Sequence, residues 1–182
     1  MKNFSYFSTV RTMFNNDLAD GLDQARKVLG VKKAMIMTDP GVAALPIWNE
    51  MQEAMKSIDF PFETFTEVKP NPTDVTMEKA ADALKATDCD VVIGFGGGSA
   101  IDTAKAAALL RTNDGKLTDY YGMNKVKNRC LPTIMVTTTA GSGAEVTQYI
   151  SIVDTAKQTK AQIGSPFCVS DIALLCPELL KN

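Results

Sequence analysis

From residue 32 onward the chain alternates short apolar runs with stretches in which apolar residues recur every three or four positions. That alternation predicts βαβ units and a parallel sheet. Lys33 to Met37 reads as a strand that stops at the turn Thr38-Asp39-Pro40-Gly41. Leu45, Trp48, Met51, Met55 and Ile58 then share one face of a helix over 42–58, with Pro46 early in it, where a helix start tolerates proline. Phe62 to Val68 alternates apolar and polar residues and predicts a strand, Pro70 to Thr73 a loop, and Val75 to Ala86 an amphipathic helix opened by the Thr73 or Thr76 hydroxyl. Asp90 to Phe95 is the next strand, 99–111 a helix so apolar that it must lie buried on the sheet, and Leu131 to Thr137 a further strand. Beyond residue 145 the runs are short and alternating, as in Tyr149 to Val153, and predict a hairpin or edge strands. Ahead of residue 32, Tyr6 to Phe14 reads as extended and Ala19 to Leu29 as a short helix closed by Gly30. No repeat or linker intervenes, so residues 1–182 are expected to form one α/β domain: a Rossmann-like parallel sheet with helices on both faces, plus the hairpin or edge strands.

Composition narrows the class. Hydrophobic residues at 45% and charged residues at 22% are globular proportions. A net charge of −2 without a basic run gives no footprint for a nucleic-acid partner. The opening MKNFSYFSTVRTMF lacks the apolar stretch of a signal peptide or membrane span, so a cytoplasmic location is expected. Cys89, Cys130, Cys168 and Cys176 form no CxxC pair and are expected to be reduced, small buried hydrophobes. The chain has no histidine, so a catalytic cysteine would lack its usual base.

The chemistry gathers around "GFGGGSAIDTAK", residues 94–105. A strand, a run of glycines and a helix start aim backbone N–H groups and the positive helix end at an anion, phosphate above all. Ser99 suits the N-cap and Asp102 the acidic partner of a capping box, leaving the N–H groups of Gly98, Ser99 and Ala100 to face the ligand. Ser99 stands where the dinucleotide fingerprint wants Gly or Ala, and close packing of a helix on a strand also calls for glycine. Lys105 either reaches a phosphate or keeps its ammonium in solvent. "TTTAGSGAE" at 137–145 forms a second polar ledge at a strand end. Asp39, after the first of these strands, is placed to accept from a ribose diol or to serve as a turn cap.

"PNPT" at 70–73, "GGGSAIDTAKA" at 96–106 and "TTTAGSGAEVT" at 137–147, in this order and spacing, resemble the iron-containing (group III) alcohol dehydrogenase family. The likeness runs from about residue 30 to "PELL" at 177–180, and dehydroquinate synthases share the fold with a weaker match. It implies an NAD-binding N-terminal domain of the dehydroquinate synthase-like kind. By position, Gly97, Gly98, Ser99 and Asp102 would hold the pyrophosphate, Asp39 the adenosine ribose, and Asn71 the cofactor's neighbourhood. Thr138, Thr139 and Ser142 would line the nicotinamide side, with Ser151 and Lys160 reaching the ribose and phosphates. Asp39 favours NAD over NADP, because a carboxylate repels a 2′-phosphate.

The departures are as informative. Family members carry an Asp and three His that hold Fe2+ or Zn2+ on a C-terminal helical domain, expected to be absent here, and a chain without histidine cannot supply that set. Cys176 stands where the family usually has Asp, and Ser142 where it often has Thr. The resemblance implies the cofactor half of an enzyme that moves hydride between a small alcohol and its aldehyde or ketone, with the substrate bound only alongside the metal domain. A non-catalytic nucleotide-binding or assembly module, or one half of a split enzyme, are the alternatives. A sheet without its neighbouring domain is expected to self-associate, as a homodimer.

Overall fold

The computed structural model describes residues 10–180. A six-stranded, wholly parallel sheet runs in the order β1 (Arg11–Phe14), β9 (Ile172–Leu175), β6 (Thr133–Thr137), β4 (Val91–Gly96), β2 (Ala34–Met37), β3 (Phe62–Phe65). Every residue of β2, β4 and β6 is buried, as strands covered on both faces require.

Alternate side chains sort into two cores. Met35, Met37, Val92 and Met135 pack under α4 (Asp74–Lys85) and α5 (Gly98–Thr112). Ile36, Ile93, Phe95, Ile134 and Val136 pack under α1 (Leu18–Leu29) and α3 (Pro46–Ser57). On the first face a Cβ at Gly94 would lie 3.2 Å from the Ile101 Cα, so this glycine is present for close packing of α5 on β4.

The helix expected over 42–58 is two helices. α2 (Pro40–Ala43) ends before Leu45, which is extended at φ −91° and ψ 155°, and α3 restarts with Pro46 as its first residue. The proline ring excludes helical backbone from the residue before it, so Pro46 opens the second helix and breaks the first pattern. Leu45 leaves the apolar face and is exposed. Within the extended segment expected from Tyr6 to Phe14, Arg11–Phe14 is β1; residues 6–9 lie outside the described residues.

The tail holds more than a hairpin. β7 (Tyr149–Asp154) and β8 (Thr159–Gly164) pair antiparallel, with the short β5 (Gly122–Met123) completing a second sheet. β9, in contrast, enters the main sheet between β6 and β1. Among the described residues no helix is long and apolar enough to cross a membrane.

Candidate functional site

The strand order reverses between β2 and β4, and open α/β sheets bind ligands at the carboxyl ends of the strands flanking such a point. Asp39 follows β2, Gly97 follows β4 and Thr138 follows β6 at this edge. The Thr138 N–H donates to the Gly96 carbonyl at 3.0 Å and ties the last two loops together.

The helix start differs from its expected form. Gly97 is the N-cap of α5 and gives no side-chain hydrogen bond; Ser99 lies inside the first turn, so no capping box forms between Ser99 and Asp102. The Gly97 carbonyl accepts from both Ala100 N (3.0 Å) and Ile101 N (3.2 Å). That commits the Ala100 N–H and leaves Gly98 and Ser99 as first-turn donors without an intrahelical acceptor. The glycines keep the space above them open: a Cβ on Gly97 would meet Thr139 Oγ1 at 3.1 Å, and one on Gly98 would meet Ser142 Cβ at 3.4 Å.

Across the turn, Gly96 sits at φ +147°, and a Cβ there would lie 3.6 Å from Asp39 Oδ2 and 3.9 Å from Thr38 Oγ1. Thr38 is fully buried and its hydroxyl has no partner among the described residues. Asp39 Oδ1 accepts from Val42 N at 3.0 Å, so one oxygen caps α2 while the other faces the glycine turn.

The β7–β8 hairpin closes the other flank. Asp102 Oδ2 accepts from Ser151 N at 3.2 Å, and Val153 N donates to the Pro72 carbonyl at 3.0 Å. Asn71, Gly98, Ser99, Asp102, Ser151 and Lys160 thereby line one depression of about 200 Å³, floored by Pro72, Ile152 and Val153. A second depression, of about 330 Å³, shares Gly98, Asp102 and Ser151 with it and adds Ser142, Thr147, Tyr149 and Gln162. Asp39, Gly97, Thr138 and Thr139 line neither depression, though Thr139 lies against Gly97 and Asp39 against Gly96.

Lys105 neither reaches toward an anion nor stays in solvent. It is 1% exposed, and its Nζ donates to the carbonyls of Ala144 (2.5 Å), Thr147 (2.7 Å) and Tyr149 (3.4 Å), pinning the ledge after β6. Burial pushes its pKa down to about 8, against the pull of the Asp102 charge. Burial pushes Asp102 up to about 6, opposed by the Lys105 charge and the Ser151 N–H. Sequence reasoning missed Thr38, Thr147, Tyr149 and Gln162; Thr147 closes the 137–147 motif and could have been found there, whereas Gln162 enters only through the hairpin's register with Ser151. Among the described residues no grouping of three or more His, Cys, Asp or Glu side chains could hold a metal ion.

Residues 9–177 match the family model for iron-containing alcohol dehydrogenase. The chain is 36% identical over 159 residues to a sulfoacetaldehyde reductase of Bilophila wadsworthia, covering 86% of this chain and 41% of that protein. It is 33% identical over 154 residues to an NAD-dependent methanol dehydrogenase of Bacillus methanolicus, covering 85% and 40%. The solved structure of sulfoacetaldehyde reductase from Bifidobacterium kashiwanohense in complex with NAD+ superposes with a TM-score of 0.87 at 28% identity, over 99% of this chain and 48% of the other. The chain thus spans about two fifths to one half of the length of these relatives.

Proposed function

The chain belongs to the iron-containing alcohol dehydrogenase family, and from that premise we propose that residues 1–182 form the dinucleotide-binding domain of an NAD-dependent alcohol dehydrogenase. The observation that carries this is the convergence at the switch point: free first-turn N–H groups at Gly98 and Ser99, an orphaned Thr38 hydroxyl, and an Asp39 oxygen turned to the same turn. When bound, a nicotinamide dinucleotide supplies the hydride acceptor for an alcohol. Gly97, Gly98 and Ser99 would receive the pyrophosphate on the end of α5, where the helix dipole adds to the N–H donors. Asp39 Oδ2 would accept from the adenosine ribose and repel a 2′-phosphate. Thr138, Thr139 and Ser142 would flank the nicotinamide, while Asn71, Ser151 and Lys160 would hold the ribose and phosphates from the hairpin side. Ala100 contributes its small side chain beneath Gly96, and Asp102 positions Ser151 through its carboxylate.

The residues present do not fit the family's metal, since the chain has no histidine and no cluster of acids or thiols among the described residues could hold the ion, and no step is assigned to it. Calorimetric titration with NAD and NADP tests the cofactor reading. NAD is expected to bind the tighter, and Asp39→Gly to narrow the gap by about tenfold or more, the size of one lost charge repulsion; binding of neither nucleotide overturns it. Exposed Met123, Val146 and Tyr149 beside the depressions support self-association as a homodimer. Sedimentation should show a concentration-dependent dimer.

A further inference from the structure

Away from that edge, two cysteines far apart in sequence meet. Cys130, on the run into β6, and Cys168, in the 3-10 turn before β9, place their sulfurs 3.9 Å apart. We propose that Cys130 and Cys168 are an oxidative modification site, closing reversibly to a disulfide on reaction with hydrogen peroxide. The sulfurs need approach by only about 2 Å to reach bonding distance. The half-buried Cys130 lines a cavity of about 180 Å³ with Arg129, Ser170 and Asp171, roomy enough for a peroxide little larger than water. Ser170 Oγ, buried and without a partner among the described residues, offers such a guest a hydrogen bond.

The pair is asymmetric. The hydrogen bond between the sulfurs holds the Cys130 thiol well above its ordinary value and pulls Cys168 below it, burial opposing the latter and the nearby Lys105 ammonium favouring it. Once Cys168 has released its proton to solvent it accepts the Cys130 proton across the sulfur–sulfur contact, and Cys130, the member of the pair that lines the cavity, attacks the peroxide as the thiolate. A bond forms between the Cys130 sulfur and oxygen, the peroxide oxygen–oxygen bond breaks, and the departing hydroxide takes the proton now on Cys168 to become water. The Cys168 thiolate then attacks the Cys130 sulfenic sulfur; the disulfide forms, the sulfur–oxygen bond breaks, and the second hydroxide recovers a proton from solvent as water. Two electrons pass from the thiols to the peroxide. Cys89 and Cys176 are buried singly, and burial raises both thiols.

The bond closes a loop that contains β6, the ledge and the β7–β8 hairpin. Nothing need be bound at the switch point for it to form. The test treats the full chain with hydrogen peroxide at a few molar equivalents, alkylates the remaining thiols and maps the peptides. The expected result is a Cys130–Cys168 cross-link with Cys89 and Cys176 alkylated, reversed by dithiothreitol, and a Tm rise of roughly 5–10 °C that Cys130→Ser abolishes. Recovery of Cys130 and Cys168 as alkylated thiols, or as sulfinic acids without a cross-link, overturns the proposal. The peptide map of the unmodified sequence decides this even where a serine variant fails to fold.

Discussion

β4 ends at Gly96 and the chain passes through Gly97 alone into the 15-residue α5 that Gly98 opens; after β6 it runs through Gly141 and Gly143 into a single 3-10 turn at Ala144–Val146. The first loop leaves backbone donors unused at the head of α5. The second has its acceptors taken up internally, with three carbonyls between Ala144 and Tyr149 gathered on the Lys105 ammonium. Similar glycine-rich composition thus yields opposite polarity, because the element downstream of each loop decides which half of the peptide bond is left over. Lys105 couples the two, since it rises from the helix that the first loop starts and holds the second.

The sharpest way to break this contrast is Lys105→Met, which keeps the stem and removes the ammonium. Three carbonyls lose their donor, and the loss should be about 3–5 kcal/mol in urea unfolding. A variant as stable as the parent would mean that the ledge is held by something else. Next in size is the acid limb of stability. The folded Asp102 carboxyl keeps its proton to about pH 6, and the unfolded one releases it near 3.8. Stability contributed by this group therefore declines as pH rises from about 4 to about 6 and is flat above, by at most about 3 kcal/mol. The difference between parent and Asp102→Asn, followed across that window, isolates the decline; parallel curves would remove Asp102 from the account.

The glycines supply a smaller, paired test. Gly96→Ala meets both a left-sided φ of +147° and a Cβ only 2.9 Å from the Ala100 Cβ, and should cost about 2 kcal/mol in thermal unfolding. Gly143→Asn meets φ +67° with open space around it, a conformation asparagine tolerates, and should cost roughly 0.5 kcal/mol or less. Equal costs would show that the two loops are held with the same rigidity.

Much of this was legible in the sequence because local patterns carry it. The buried runs of β2, β4 and β6 and the faces of α1 and α4 arise from short-range patterning, α5 shows itself by its near-uniform apolarity, and Thr73 caps α4 as its position suggests. The breaks came where a choice depends on partners. Either Gly97 or Ser99 can begin a helix, and the close approach of Thr139 to Gly97 accompanies a start at Gly98. Lys105 is indistinguishable from a surface lysine until the ledge folds over it. β9 resembles an edge strand in isolation, and its place between β6 and β1 is set by pairing with residues at the other end of the chain.

That pairing also has a timetable. Arg11 lies beside Ile172 and Phe14 beside Leu175, so β1 has no native partner until β9 has been made. At a synthesis rate of roughly 5–20 residues per second the strand waits on the order of ten seconds, its Phe14 side chain exposed even in the finished fold. The nascent chain can assemble β2, β3 and β4 early, while the sheet's far edge is sealed last and depends on the slowest kind of contact to form.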